Sequence, residues 1–249
     1  MYLDVIDLKA FYKGRLGKIA SRLVSQRVRK MWPSATGERL LGLGYATPFL
    51  EQFAEAERRL ALMPAAQGIV SWPGDERNAA ALIRDDALPL ENGSMDRIIA
   101  VHCLEHAENT SDVLREAWRV LSPGGRLIAV VPNRAGLWAR ADRTPFGHGE
   151  PFSRFQLANL LRDAMLSPVV WTRALAALPT GHPLLIRNGA HWERIGSRIW
   201  PGLSGVLIVE ATKLVHKHVE PRRSSARSVR RVLSPALAPT SGLRPRDLV

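Results

Sequence analysis

Residues 85–133 read DDALPLENGSMDRIIAVHCLEHAENTSDVLREAWRVLSPGGRLIAVVPN. An apolar run, DRIIAVH (96–102), precedes an amphipathic stretch, DVLREAWRVL (112–121), and a second apolar run, RLIAVV (126–131). Short continuous apolar runs signal strands buried on both faces. Val113, Leu114, Ala117, Trp118 and Leu121 recur at helical steps, with Ser111 placed to cap that helix and Ser122-Pro-Gly-Gly125 to stop it. A strand, a crossover helix and a second strand make the repeating unit of a parallel sheet.

The same alternation extends outward in both directions. ERLLGL (38–43) is a short buried strand, Pro48 opens a helix expected to run to Arg59, and residues 60–63 and 80–84 are two further strands. Downstream, Ser153 and Gln156 form a capping box for another helix, and strands are expected at 169–173 and 206–213, flanking a polar helix near 187–199. The first thirty residues carry Leu8, Phe11, Tyr12, Leu16, Ile19, Leu23 and Val24 at three- and four-residue steps, with Lys13, Arg15, Lys18, Arg22 and Arg27 between them. They read as an amphipathic helix, broken near Gly14 or Gly17, that lids the domain. The chain therefore divides into an N-terminal helical segment (1–33), an α/β domain (34–215) and a basic tail (216–249).

Several short motifs in residues 85–133 occur in a recognisable order. They are Leu88-Pro89-Leu90, Met95-Asp96, Leu104-Glu105-His106, Leu114-Arg115-Glu116 and Arg119-Val120-Leu121-Ser122-Pro123-Gly124-Gly125. This block resembles the class I S-adenosylmethionine (SAM) methyltransferases of the type 11 kind, with HGEPFSRFQL (148–157) and VLIVEATK (206–213) similar to the family's later elements. The resemblance implies a Rossmann-like, doubly wound, mostly parallel seven-stranded sheet with helices on both faces. It also implies SAM as cofactor and methyl transfer to an acceptor that the sequence does not name.

In such sheets ligands sit beyond the carboxyl ends of the strands, where strand order reverses. After the first strand comes GLGYATP (42–48). Set on the family's acidic–Gly-x-Gly-x-Gly motif, Gly42 stands where the acid is expected, Gly44 keeps the first glycine, and Ala46 and Pro48 replace the other two. The carboxylate that holds the cofactor ribose from the end of the second strand is absent too, since the second strand here ends in Leu62-Met63-Pro64. The resemblance thus assigns cofactor contacts to Gly42, Gly44, Tyr45, Asp85, Asp86 and His102. His102, at a strand end and titrating near physiological pH, is also the best-placed general base. Glu105 and His106 read as shaping the next turn. Arg134, Trp138, His148 and Glu150, on loops after the fifth strand, are candidate substrate contacts. No cluster has metal-ligand spacing, since one thiol, Cys103, with histidines nearby on a turn is no zinc signature. The departures in the first motif motivate an alternative reading as a catalytically inactive, methyltransferase-like regulatory or binding module, RNA-associated through its basic parts.

Bulk properties narrow the class further. With 46% hydrophobic and 23% charged residues, the 249-residue chain is globular in composition. A single cysteine permits no internal disulfide and points to a reducing compartment. The N-terminus lacks the apolar run of a signal peptide and no stretch approaches the roughly 20 apolar residues of a membrane helix, so a cytoplasmic protein is expected. Half of the net charge of +12 lies in the Ser- and Pro-rich tail, where eight Lys and Arg face two acids. Such a tail is expected to be disordered and solubilising, with weak RNA or anionic-membrane contact as its functional alternative.

Overall fold

A computed structural model describes residues 3–74, 77–177, 179 and 201–215. Seven strands form one sheet: β1 (Arg39–Gly44), β2 (Arg58–Pro64), β3 (Ala80–Ile83), β4 (Met95–Val101), β5 (Leu121–Pro132), β6 (Leu166–Ala174) and β7 (Val206–Lys213). Their order is β3-β2-β1-β4-β5-β7-β6. The first five are mutually parallel, while β7 runs antiparallel to both β5 and β6. The fold is thus the doubly wound, mostly parallel sheet that the motif order implies. The polar helix expected near 187–199 and the tail from 216 onward lie outside the described residues.

Alternation along the strands builds two cores. Ile99 and Val101 of β4, with Ile128 and Val130 of β5, face a cluster that includes Leu8, Val24, Phe49 and Phe53. Ile98 and Ala100, with Leu127, Ala129 and Val131, face the opposite cluster, which holds Val113, Leu114 and Leu157. A two-residue period sends neighbouring side chains to opposite faces, so strands covered on both sides read as unbroken apolar runs. The first face is covered by α1 (Val5–Lys13), α2 (Arg15–Met31) and the short α3 (Thr47–Leu50); the second by α4 (Thr110–Val120) and α5 (Arg154–Asp163).

Several boundaries differ from the sequence expectation, each for a local reason. The helix opened by Pro48 ends within two turns: α3 runs into a 3₁₀ turn at Glu51–Phe53, and β2 already begins at Arg58. Parallel pairing of Arg39 with Arg58 pulls those residues into the sheet. Helix α4 is capped by Asn109, whose side chain accepts from Ser111 N–H at 3.1 Å, and not by Ser111 itself. The Ser-Pro-Gly-Gly stop lies within β5, which starts at Leu121. The capping box of α5 is half formed: Ser153 Oγ accepts from Gln156 N–H at 3.1 Å, but the Gln156 carbonyl oxygen finds no donor. The N-terminal break falls at Gly14, whose extended backbone ends α1 and begins α2.

The Leu-Arg-Glu and Arg-Val-Leu motifs of α4 pin the loop before β4. Glu116 accepts from Leu88 N–H at 2.8 Å and from Arg119, while Arg119 donates to the carbonyls of Leu88 and Leu90. Arg119 holds the Glu116 carboxyl below the usual carboxylate range, assisted by the Leu88 N–H and opposed by desolvation. Because the folded pKa lies below the unfolded one, this stabilisation is complete above about pH 4.3 and is lost as pH falls through the folded value. Glu116→Ala is therefore expected to cost about 2 kcal/mol at pH 7, the scale of charged hydrogen bonds lost from a largely buried site. In urea unfolding, the gap to wild type narrows below about pH 4.

Candidate active site

The carboxyl ends of β1 and β4 meet at the point where strand order reverses, with Gly44 paired to Val101. Gly44 has φ +71°, and a Cβ there would lie 2.4 Å from the Val101 carbonyl oxygen and 2.8 Å from that of His102. Only a glycine permits both the left-handed backbone and this close approach. Gly42 serves packing, since a Cβ would lie 2.7 Å from Leu50 and 2.9 Å from the Ala46 Cβ. Where β4 ends, His102 itself takes φ +50°. A left-handed non-glycine residue costs on the order of 1 kcal/mol or more and persists where its surroundings over-determine it.

Those surroundings come largely from α1. Asp4 caps the helix by accepting from Ile6 N–H at 2.7 Å, and Val5 N–H donates to the Gln67 carbonyl at 2.8 Å, tying α1 to the loop after β2. Val5, Leu8 and Tyr12 are buried. Tyr12 stacks on Tyr45 with ring centroids 5.5 Å apart and planes at 17°, and its hydroxyl lies 2.8 Å from His102 Nε2. Gln67, buried, reaches across from the β2 loop and donates to the His102 carbonyl at 2.9 Å. Behind His102 stand Phe146 at 4.8 Å and then Trp138, 5.8 Å further on.

On its other side, His102 Nδ1 lies 3.3 Å from Glu105 Oε1. Neither Glu105 oxygen has a conventional hydrogen-bond donor, although the residue is only 3% exposed. The protons can be placed from this network. A buried hydroxyl proton must find an acceptor, and among the described residues His102 Nε2 is the one hydrogen-bond partner of Tyr12. Nε2 therefore accepts and Nδ1 carries the ring proton, 3.3 Å from Glu105 Oε1 but not hydrogen-bonded to it. Burial, with smaller contributions from Glu105 and Tyr45, pushes the Tyr12 phenol well above its ordinary pKa and keeps it a donor. His102 thus has a buried carboxylate close to one ring nitrogen and a hydroxyl hydrogen-bonded to the other.

The fold also gathers a cluster that linear spacing did not suggest: donor atoms of His102, Glu105 and His106 lie within 4.8 Å of one another. Proximity alone fits a three-ligand cation site. A proton on Nδ1, however, leaves that nitrogen no lone pair for a metal, so Tyr12 argues for a proton relay.

A groove of about 770 Å³ lies beyond the ends of β2 and β3, lined by Ala65, Ile83, Asp85, Asp86, His106 and Asn109 among others. Asp86 is exposed and bridges to Arg84 at 2.9 Å, which holds its carboxyl below the usual range. Arg84, the charge that draws Asp86 down, is raised in turn. At the end of β2, Leu62, Met63 and Pro64 are buried and offer no carboxylate. A second groove, of about 490 Å³, opens beside the tyrosine pair between α1, α2 and the β1 loop.

The structure brings Gly44, Tyr45 and His102 together and sets Asp85 and Asp86 at the neighbouring groove. The four loop candidates do not converge on His102. Arg134 is exposed and donates to the Pro151 carbonyl at 3.3 Å; Trp138 is 2% exposed and donates to the Ala177 carbonyl at 2.7 Å. A His148 ring nitrogen lies 2.7 Å from the Asp142 carbonyl, and Glu150 N–H donates to the Glu105 carbonyl at 2.7 Å. These loop contacts support the Glu105 turn, and Trp138 backs His102 through Phe146. Sequence reading passed over Tyr12, Gln67 and Glu105 as site residues. Tyr12 lay on a helical apolar stripe, where an aromatic residue reads as core, and no linear pattern links position 12 to position 102.

Residues 32–129 match the family model described as a methyltransferase domain. The 27-O-demethylrifamycin SV methyltransferase of Amycolatopsis mediterranei is 30% identical over 140 residues, which is 50% of this chain and 51% of that protein. The norajmaline N-methyltransferase of Rauvolfia serpentina is 23% identical over 152 residues, 55% of this chain and 52% of that protein. The chain thus spans about half the length of the curated relatives it matches. In fold it is similar to a SAM-dependent methyltransferase, a possible histamine N-methyltransferase, from Thermotoga maritima. That match has a TM-score of 0.56 at 16% identity and covers 84% of this chain and 96% of the other.

Proposed function

We propose that this chain is a SAM-dependent methyltransferase that transfers a methyl group from SAM to a nucleophile whose proton is taken by His102. The observation that carries the reading is the buried Tyr12–His102–Glu105 chain at the switch point of the sheet. SAM supplies an electrophilic methyl group on a sulfonium. The groove beyond β2 and β3 fits its adenosine half, with apolar surface from Ile83 and carboxylates at Asp85 and Asp86 to accept N–H groups. The acid missing after β2 removes the usual ribose contact, worth about 1.5–3 kcal/mol as charged hydrogen bonds. Binding weaker by one to two powers of ten than with that acid present is the expected consequence, at about 1.4 kcal/mol per decade.

The chain's own residues account for the proton. His102 Nε2 receives it, Glu105 balances the imidazolium that forms, and Gln67 and Phe146 hold the ring in place. Tyr12 now occupies the position from which an acceptor would deliver that proton, so its side chain must move for turnover. Titration calorimetry with SAM and S-adenosylhomocysteine tests the cofactor: one equivalent of each is expected to bind, and no heat from either at millimolar ligand would sink the proposal. No helix among the described residues is long and apolar enough to cross a membrane.

A further inference from the structure

The crevice at His102 holds an aromatic ring with a hydroxyl, and the protein itself supplies it. The Tyr12 ring stacks on Tyr45, meets Phe49 edge-on at 6.0 Å and 88°, and lies 5.8 Å from the His102 ring. Tyr45, Phe49 and His102 all belong to the sheet side of the crevice and not to α1. They form a box for a flat ring whose hydroxyl ends at Nε2, the atom proposed to take the proton. Offset stacking and edge-on contact together are the geometry that selects aromatic rings over aliphatic groups of similar size.

The groove beside this box gives the ligand a second property. Tyr12 and Tyr45 form part of its wall, so it is continuous with the ring site, and Lys9, Lys13, Lys18 and Arg22 line it with Glu51 as the one acid. None of the four cations forms an ion pair among the described residues. Unneutralised like charges converging on one concavity concentrate an anion there.

We propose that the acceptor is a phenol carrying an acidic substituent. Its ring stacks on Tyr45 with the hydroxyl at His102 Nε2, turned in its plane so that the para carbon clears the Cβ of residue 12 and faces the groove, and its anionic group lies among Lys9, Lys13, Lys18 and Arg22. Tyr12 is then an internal stand-in for the phenolic ring of the substrate, displaced by rotation of its side chain away from His102. The step balances. The phenolic proton passes to His102 Nε2, and an oxygen lone pair forms the new C–O bond to the methyl carbon. The methyl–sulfur bond breaks with its electrons left on sulfur, converting the sulfonium of SAM to a neutral thioether.

This inference rests on the proposed methyl transfer, and its test separates the two. Tyr12→Ala, which empties the box, is titrated without SAM against 4-hydroxyphenylacetate, phenylacetate and 4-methylphenol. It is expected to bind 4-hydroxyphenylacetate at least tenfold more tightly than phenylacetate, and more tightly than wild type does. Adding Lys13→Glu and Arg22→Glu should weaken 4-hydroxyphenylacetate at least fivefold and leave 4-methylphenol unchanged. Equal binding of the hydroxylated and unhydroxylated acids, or no effect of the charge reversals, overturns the proposal. Should Tyr12→Ala not fold, wild-type protein with methyl-labelled SAM is offered 4-hydroxyphenylacetate, 4-aminophenylacetate and 4-hydroxycyclohexanecarboxylate. Label on the phenolic oxygen supports the proposal; label confined to the amine or the aliphatic alcohol, or to none of the three while SAM is bound, overturns it. Absence of SAM binding refutes the methyltransferase reading, while the SAM-free titrations still decide the phenol site.

Discussion

His102→Asn is expected to lower kcat for methyl transfer by about 10²- to 10⁴-fold, the range for loss of a positioned general base, while leaving SAM affinity within about twofold. Asparagine is chosen because it separates the chemistry from the fold. It tolerates the left-handed backbone of φ +50° better than most residues, and its amide N–H can take the place of Nδ1 beside Glu105. It lacks an equivalent of Nε2, the atom 2.8 Å from the Tyr12 hydroxyl. Stability should therefore change by no more than about 2 kcal/mol, the cost of one buried hydroxyl left without its acceptor. A variant that folds, binds SAM and turns over at the wild-type rate would remove His102 from the proton path.

Gly44→Ala should cost at least about 3 kcal/mol in urea unfolding. Two costs add. An alanine held at φ +71° is strained by on the order of 1 kcal/mol. Its Cβ would also lie 2.4 Å from a carbonyl oxygen of the adjacent strand, a distance that forces β1 and β4 apart. Those strands are paired from Leu40–Arg97 through Gly44–Val101, so the displacement spreads through the middle of the sheet and reaches His102. Gly124 makes a fitting control: it too has positive φ, at +74°, but a Cβ there meets nothing within 4 Å, so Gly124→Ala should cost only about 1 kcal/mol. If the two alanine variants prove equally stable, steric contact at the switch point is not what Gly44 answers to.

The glycine-rich turn after β1 looked, as sequence, like the worn remains of a cofactor loop. In the fold, Gly42 makes room for Leu50 and Ala46, and Gly44 makes room for the end of β4. Both are thus accounted for by packing alone. The loop candidates show the same limit from the other side. Trp138 among arginines suggested a recognition surface, yet it is buried behind Phe146, because a large indole gains more from the core than from an exposed loop.

What the sequence determined by itself was the α/β architecture and a resemblance to methyltransferases. Apolar runs such as IIAV and LIAVV, bounded by turn signals, read as strands covered on both faces, and the motifs of residues 85–133 make contacts within their own block, Glu116 and Arg119 on the loop at 88–90 among them. The place of His102 at the end of β4 was legible too, because a strand end is a local feature. The composition of the site was decided only by tertiary structure. Tyr12 reaches His102 across 90 positions and Gln67 across 35, so their meeting depends on how α1 and the β2 loop close over the sheet. Periodicity along a helix records that a residue is buried, not what it is buried against. A phenol on an apolar stripe therefore reads as core until the packing shows its hydroxyl resting on the imidazole of the site.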